Sequence, residues 1–154
     1  MTIGLRPARL DDAPAIAAIL SDWIDETPWM PRVHTRQEDQ MFGAFLIERT
    51  MVTVAALIDR PDVICGFAAL QPPQIQALYL APRWRGQGVG TRLLNHLKSQ
   101  CQPLQLWAFQ ANVGAQRFYE REGFVEVERT DGTGNDEKLP DIRMVWEQEN
   151  RNGH

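Results

Sequence analysis

Arg83-Trp84-Arg85-Gly86-Gln87-Gly88-Val89-Gly90-Thr91 sets two arginines and three alternating glycines between an apolar run and an amphipathic segment. The run before it, Ile75 to Leu80, is short, apolar and partly β-branched or aromatic, and Pro82 stops it; it reads as a buried strand. After it, Val89, Leu93, Leu94, Leu97 and Cys101 recur at three- and four-residue steps, the period of a helix with one apolar face. Glycines at such a junction let the backbone turn tightly and leave successive N–H groups unobstructed. Those groups open a helix whose dipole adds positive charge at the same spot. The chemistry is that of an anion cradle for phosphate or pyrophosphate.

The spacing narrows the anion. A dinucleotide fingerprint needs G-x-G-x-x-G, and here Thr91 stands where the last glycine should be. A Walker A loop needs Gly-Lys-Ser/Thr, and no lysine falls between Arg60 and Lys98. A glycine-rich turn without a ligand would share the local pattern. Arg85-Gly86-Gln87-Gly88-Val89-Gly90 does match R/Q-x-x-G-x-G/A, and in this the sequence resembles the GNAT superfamily of acyl-CoA-dependent N-acyltransferases. A second match is Asn112-x-x-Ala115-x-x-Phe118-Tyr119-x-x-x-Gly123-Phe124. Tyr119 follows Asn112 by about two helical turns, so both side chains point along one face.

The elements needed to hold these groups can be read along the chain. Thr2 to Arg6 is a first strand, and Asp11 or Asp12 caps a helix with Ile16, Ile19, Leu20 and Trp23 inside. Asp25 to His34 is rich in breakers yet carries Trp29 and Met30. Thr35 and Glu38 form a capping box for a helix that buries Met41, Phe42, Phe45 and Leu46. Met51 to Ile58 and Val63 to Leu70 make a hairpin around Asp59-Arg60-Pro61-Asp62. Leu104 to Phe109 has the near-continuous apolar character of a strand covered on both faces. Asn112 to about Glu122 is helical, Phe124 to Arg129 alternates as a strand with one wet face, Thr130 to Lys138 is a polar loop, and Ile142 to Trp146 is the last strand.

The expected fold is therefore α/β, GNAT-like, with a mixed central sheet of about seven strands and four helices in the order β-α-α-β-β-β-α-β-α-β-β. It forms one domain over residues 1–147, with 148–154 as a frayed tail. At 154 residues, 44% apolar and 23% charged, the composition is that of a soluble globular protein. A net charge of −4 argues against a general nucleic-acid binder. Without a signal-like N-terminus or a membrane-length apolar run, the expectation is a cytoplasmic protein with no membrane partner. Cys65 and Cys101 are isolated and His34, His96 and His154 are scattered, so no metal site is expected.

The resemblance implies roles position by position. The backbone of Leu78, Tyr79 and Leu80 would pair with the pantetheine arm of acetyl-CoA like an added strand. Arg85, Gly86, Gln87, Gly88, Val89, Gly90 and Thr91 would hold its pyrophosphate, and Asn112 would contact it near the thioester. Tyr119 matches the tyrosine that gives a proton to the departing thiolate, a task suited to a phenol with an ordinary pKa of about 10. Many relatives carry a basic glutamate on the fourth strand. Gln74 and Gln76 stand there and cannot serve, which leaves Asp25, Glu26, His34, Asp136, Glu137 or a relayed water as the base.

The loops Asp25 to His34 and Thr130 to Asp141 would wall the acceptor pocket, with Trp29 and His34 touching substrate. Aromatic and acidic groups together suit a cationic amine. The expected activity is acetyl transfer from acetyl-CoA to a primary amine, on a small molecule or a peptide, by direct attack. The other reading is a non-catalytic acyl-CoA sensor on the same fold, which would have no use for an acid at Tyr119. GNAT-like proteins also often pair, so a homodimer is part of the expectation.

Overall fold

The computed structural model describes residues 2–148. Its strands and helices run β1 (Ile3–Pro7), α1 (Ala13–Glu26), α2 (Arg36–Arg49), β2 (Met51–Leu57), β3 (Ile64–Gln71), β4 (Gln74–Leu80), α3 (Val89–Gln100), β5 (Leu104–Phe109), α4 (Val113–Arg121), β6 (Val125–Thr130) and β7 (Asp141–Trp146). The number and order of elements are those expected, with ends shifted by one or two residues. The expected frayed tail falls, past Gln148, outside the described residues.

The sheet order is β1-β2-β3-β4-β5-β7-β6. Neighbours pair antiparallel except β4 and β5, which run parallel and share the single registered pair Gln74 and Gln105. From that point the two strands diverge toward their carboxyl ends. Everything the site needs follows from this splay.

Both faces of the sheet are covered, so β2 and β3 are buried almost throughout. On one face Leu93, Leu94 and Leu97 of α3 pack with Leu104, Phe124, Ile142 and Met144. On the other, Ile16 and Ile19 of α1 and Leu46 of α2 meet Val54 and Phe67. Each such fully buried side chain contributes about 1.5–3 kcal/mol relative to exposure. The apolar stripe read on α3 is thus its core face.

Four expectations change. In α2 the inward positions are Asp39, Gly43 and Leu46, whereas Met41, Phe42 and Phe45 are exposed. Gly43 sets that rotation, since a Cβ there would lie 2.9 Å from the Ala13 carbonyl oxygen. Asp39 is tolerated inside because Arg32 reaches it at 2.8 Å. In β5, Trp107 is 39% exposed, because β4 has already turned away and nothing covers that position. β6 lies at the sheet edge with Val125 and Val127 exposed as well as its charged residues, not with one wet face.

The fourth change concerns Asp12, which precedes α1 without capping it. Its carboxylate takes a bidentate pair from Arg6 at 2.8 and 3.0 Å and accepts the Arg9 N–H at 2.7 Å. Charge-assisted paired bonds outcompete a neutral cap. The Arg6 bond holds the Asp12 carboxyl below its ordinary value. A carboxylate so depressed adds stability above its unfolded pKa, and that stability is lost as pH falls through the folded value. Asp12→Ala should therefore cost roughly 2–4 kcal/mol at neutral pH and much less in strong acid. Thermal melts at both pH values check this; a loss that is the same at both would refute the ion-pair explanation.

Candidate active site

The loop between β4 and α3 has the features of an anion cradle. Gly86 and Gly88 sit at φ of 73° and 83°, the left-handed region, and a Cβ on either would meet nothing within 4 Å. The space over the loop is open. None of the backbone N–H groups from Gly86 to Thr91 meets an acceptor among the described residues; the first helical bond is Arg92 N–H to Gly88 O at 3.1 Å. Six donors without acceptors among the described residues thus run in sequence into the start of a helix 12 residues long. Val89 contributes only its N–H, because its side chain is core. Gly90 lies inside α3, where an added Cβ would make only ordinary contact with the Phe118 ring at 3.4 Å.

The arginines are held differently from each other. Arg83 lies over the Trp84 ring at 5.0 Å, and its carbonyl accepts from the Gln87 side chain at 2.7 Å. Arg85 donates to the Leu80 carbonyl at 3.3 Å and pairs with Glu26, the last residue of α1, at 2.5 Å. An anion in the cradle would compete with Glu26 for that guanidinium. Half-exposed pairs of this kind are worth no more than about 1 kcal/mol. Glu26→Gln is accordingly expected to tighten acetyl-CoA binding by about two- to fivefold, read by calorimetric titration; weaker binding would show that Glu26 assists the donor.

Beside the cradle, the β4–β5 splay opens a narrow cleft of about 100 Å³ lined by Leu78, Tyr79, Phe109, Asn112, Ala115 and Tyr119. Leu78, Tyr79 and Leu80 pair with Ala68, Phe67 and Gly66 of β3 on one side, and β5 offers them no registered partner on the other. This is an unpaired strand edge facing a cleft, the geometry that an added strand-like ligand uses. Asn112 caps α4, its Oδ1 accepting the Ala115 N–H at 3.1 Å, while its amide nitrogen has no acceptor among the described residues.

Tyr119 is buried between Phe118 and Phe124, with ring centroids at 5.1 and 5.3 Å. Its hydroxyl makes no hydrogen bond among the described residues and borders the cleft. Burial, and next the neighbouring Tyr79, push the Tyr119 phenol above its ordinary pKa. It is a proton donor at neutral pH. Tyr79 faces the opposite side of the sheet, packed on Trp23 at 5.2 Å and Phe67 at 6.0 Å. Burial, and then the Glu137 charge, push Tyr79 up to about 12.

The cleft continues through Gln76, Trp107, Ala108 and Phe109 into a cavity of about 730 Å³. Thr130, Asn135, Asp136, Glu137 and Asp141 close its far side. Of the two residues expected to touch substrate, Trp29 packs edge-on against Phe109 at 5.8 Å, outside the cavity lining. His34 is exposed and lies 3.9 Å from Asp136, so it links the two loops at the rim. Trp107 and Phe109 were overlooked as site residues. The signal for them is their place at the carboxyl end of a strand at the point where the sheet parts.

A model of the acetyltransferase (GNAT) domain family matches residues 48–126, from the end of α2 to β6. The chain belongs to the GNAT family. This GNAT chain is 28% identical over 147 residues to the peptidyl-lysine N-acetyltransferase YjaB of Escherichia coli, covering 95% of this chain and 98% of that one. The solution structure of apo YjaB superposes with a TM-score of 0.79 at 24% identity, covering 95% and 98% of the two chains. The acetyltransferase yncA of Salmonella typhimurium, solved with its cofactor acetyl-CoA, gives 0.73 at 18% identity over 98% and 96%. This GNAT protein is an N-acetyltransferase, and its acetyl donor is acetyl-CoA. Among the described residues no helix is long and apolar enough to cross a membrane.

Proposed function

We propose that this acetyltransferase modifies the primary amine of a cationic acceptor, with a peptide lysine as the leading candidate, by direct attack on the thioester within the β4–β5 cleft. One observation carries the reading: the cleft lined by Tyr119 shares Gln76, Trp107, Ala108 and Phe109 with a second, acidic cavity, and β4, which walls that cleft, leads into the loop of N–H groups that have no acceptor among the described residues. Bound acetyl-CoA supplies an electrophilic carbonyl and a thiolate leaving group.

The rest is the work of this chain. Gly86 to Thr91 and Arg85 bind the pyrophosphate, and the free edge of Leu78 to Leu80 aligns the pantetheine arm. The Asn112 amide donates into the cleft near the thioester. Tyr119 gives its proton to the leaving sulfur. Cys65 is buried and burial raises its thiol pKa, which leaves it unsuited to an acyl-enzyme route. Direct transfer needs no such residue.

Lysine is favoured by two things: the carboxylates of Asp136, Glu137 and Asp141 around the acceptor cavity, and the activity named for the YjaB relatives. A cytoplasmic setting accords with an acetyl-CoA-dependent enzyme carrying two free cysteines. The test is thiol release from acetyl-CoA with a blocked lysine peptide, cadaverine and a blocked glutamate peptide carrying only a free α-amine. Preference for the first two is expected. Faster turnover of the acidic peptide would remove the cationic-acceptor reading.

A further inference from the structure

The reaction leaves one group unassigned, the base that takes a proton from the incoming ammonium. We propose that this base is Glu137, a role that rests on the proposed function above. Each competing carboxylate near the acceptor side is already engaged. Asp25 accepts from Arg32 at 2.7 Å and from Arg36 at 2.5 Å. Glu26 is held by Arg85. Asp141 takes the Thr130 hydroxyl and the Asn135 amide. Asp136 is 78% exposed and turned toward His34 at the rim.

Glu137 differs on each count. It is half-buried, lines the acceptor cavity, and has no ion pair or hydrogen bond of its side chain among the described residues. Its charge is also the second cause, after burial, that raises the Tyr79 phenol on β4. Gln76, Trp107, Ala108 and Phe109 border both the cavity holding Glu137 and the cleft holding Tyr119. The cavity lined by the base and the cleft lined by the acid therefore share one wall. Gln74 and Gln76 face the same cavity with no basic atom to offer, so the later loop supplies the carboxylate that β4 lacks.

The protons balance. Glu137 takes one from the ammonium, and the freed lone pair forms the N–C bond as the C–S bond breaks. Tyr119 protonates the sulfur and recovers the second amine proton; the third stays on the amide nitrogen. One proton is released to solvent from Glu137 in each turnover.

The experiment compares Glu137→Gln with the unaltered chain, measuring thiol release with the blocked lysine peptide and cadaverine from pH 6 to 10, and acetyl-CoA affinity by calorimetry. The other titratable and charged groups around Glu137 are Tyr79 on β4, His34 from the α1–α2 loop, Asp136 and Lys138 beside it, and Asp141 on β7. Asp136→Asn, in the same cavity lining, is the comparison for a charge that attracts the amine without taking its proton. Glu137→Gln should lower kcat/KM about 10²–10³-fold near pH 7, with acetyl-CoA affinity unchanged. The deficit should shrink steadily toward pH 10, where solvent has deprotonated more of the amine. Asp136→Asn should raise KM for both amines, with kcat within about threefold of the unaltered chain and the same pH profile.

A loss that does not vary with pH, or a rise in KM alone, would reduce Glu137 to a binding charge and overturn its role as base. Near-normal turnover would do the same. Absence of turnover in the unaltered chain with both amines, while acetyl-CoA still binds, would remove the base together with the acceptor reading and leave the donor site standing.

Discussion

Tyr119→Phe should lower kcat by about 10²–10³-fold with either amine while leaving acetyl-CoA affinity within about twofold. The substitution removes one oxygen and keeps the ring that packs on Phe118 and Phe124, so the fold has no reason to change. What it removes is the proton for the leaving thiolate. A loss of that size is about 3–4 kcal/mol of transition-state stabilisation. Because burial raises the phenol's pKa, Tyr119 stays protonated through the neutral range, and no alkaline fall in kcat from this residue is expected below about pH 10. Steady-state kinetics with parallel calorimetry separate the terms. Equal loss of binding and turnover would make Tyr119 a packing residue of the donor site.

The second large effect is expected at Arg85. Arg85→Ala should weaken acetyl-CoA about 10- to 30-fold, the worth of one charge-assisted phosphate contact, with kcat at saturation little altered. Arg85→Lys keeps the charge but loses the guanidinium fork, and should fall between. Since Arg85 pairs with Glu26 in this structure, the effect of Arg85→Ala should be partly masked in the native background and larger when Glu26 is already Gln. Affinity should also fall as salt rises, because both partners are half-exposed. Unchanged affinity in Arg85→Ala would mean that the backbone donors of Gly86 to Thr91 hold the anion alone.

How much was legible depended on whether a feature was local. The glycine loop, the strand before it and the stripe of Val89, Leu93, Leu94 and Leu97 all express backbone rules that act within a dozen residues, and they fold as read. The Asn112 cap and the placing of Tyr119 on the buried face of α4 are local in the same sense. The rotation of α2 was not local. Met41, Phe42 and Phe45 outnumber Leu46 in hydrophobicity, yet the close approach of Gly43 to Ala13 turns them outward. Nor could spacing reveal that Glu26 meets Arg85, or that Glu137, unlike Asp136 and Asp141 in the same cavity lining, has no partner among the described residues. Those facts depend on loops 50 to 100 residues apart in sequence meeting over one splay. The glutamines at Gln74 and Gln76 did show that the base had to come from elsewhere.

One measurement tests the donor site most directly: backbone amide chemical shifts of the uniformly ¹⁵N-labelled chain as acetyl-CoA is added. Saturable shifts should be largest at the N–H groups of Gly86 to Thr91, which have no acceptor among the described residues, with further changes at Leu78 to Leu80 and Asn112. Saturation with these resonances unmoved, and with shifts gathered instead at the cavity between Leu5, Ile47 and Thr53 on the far part of the sheet, would contradict the placement of acetyl-CoA in the β4–β5 cleft.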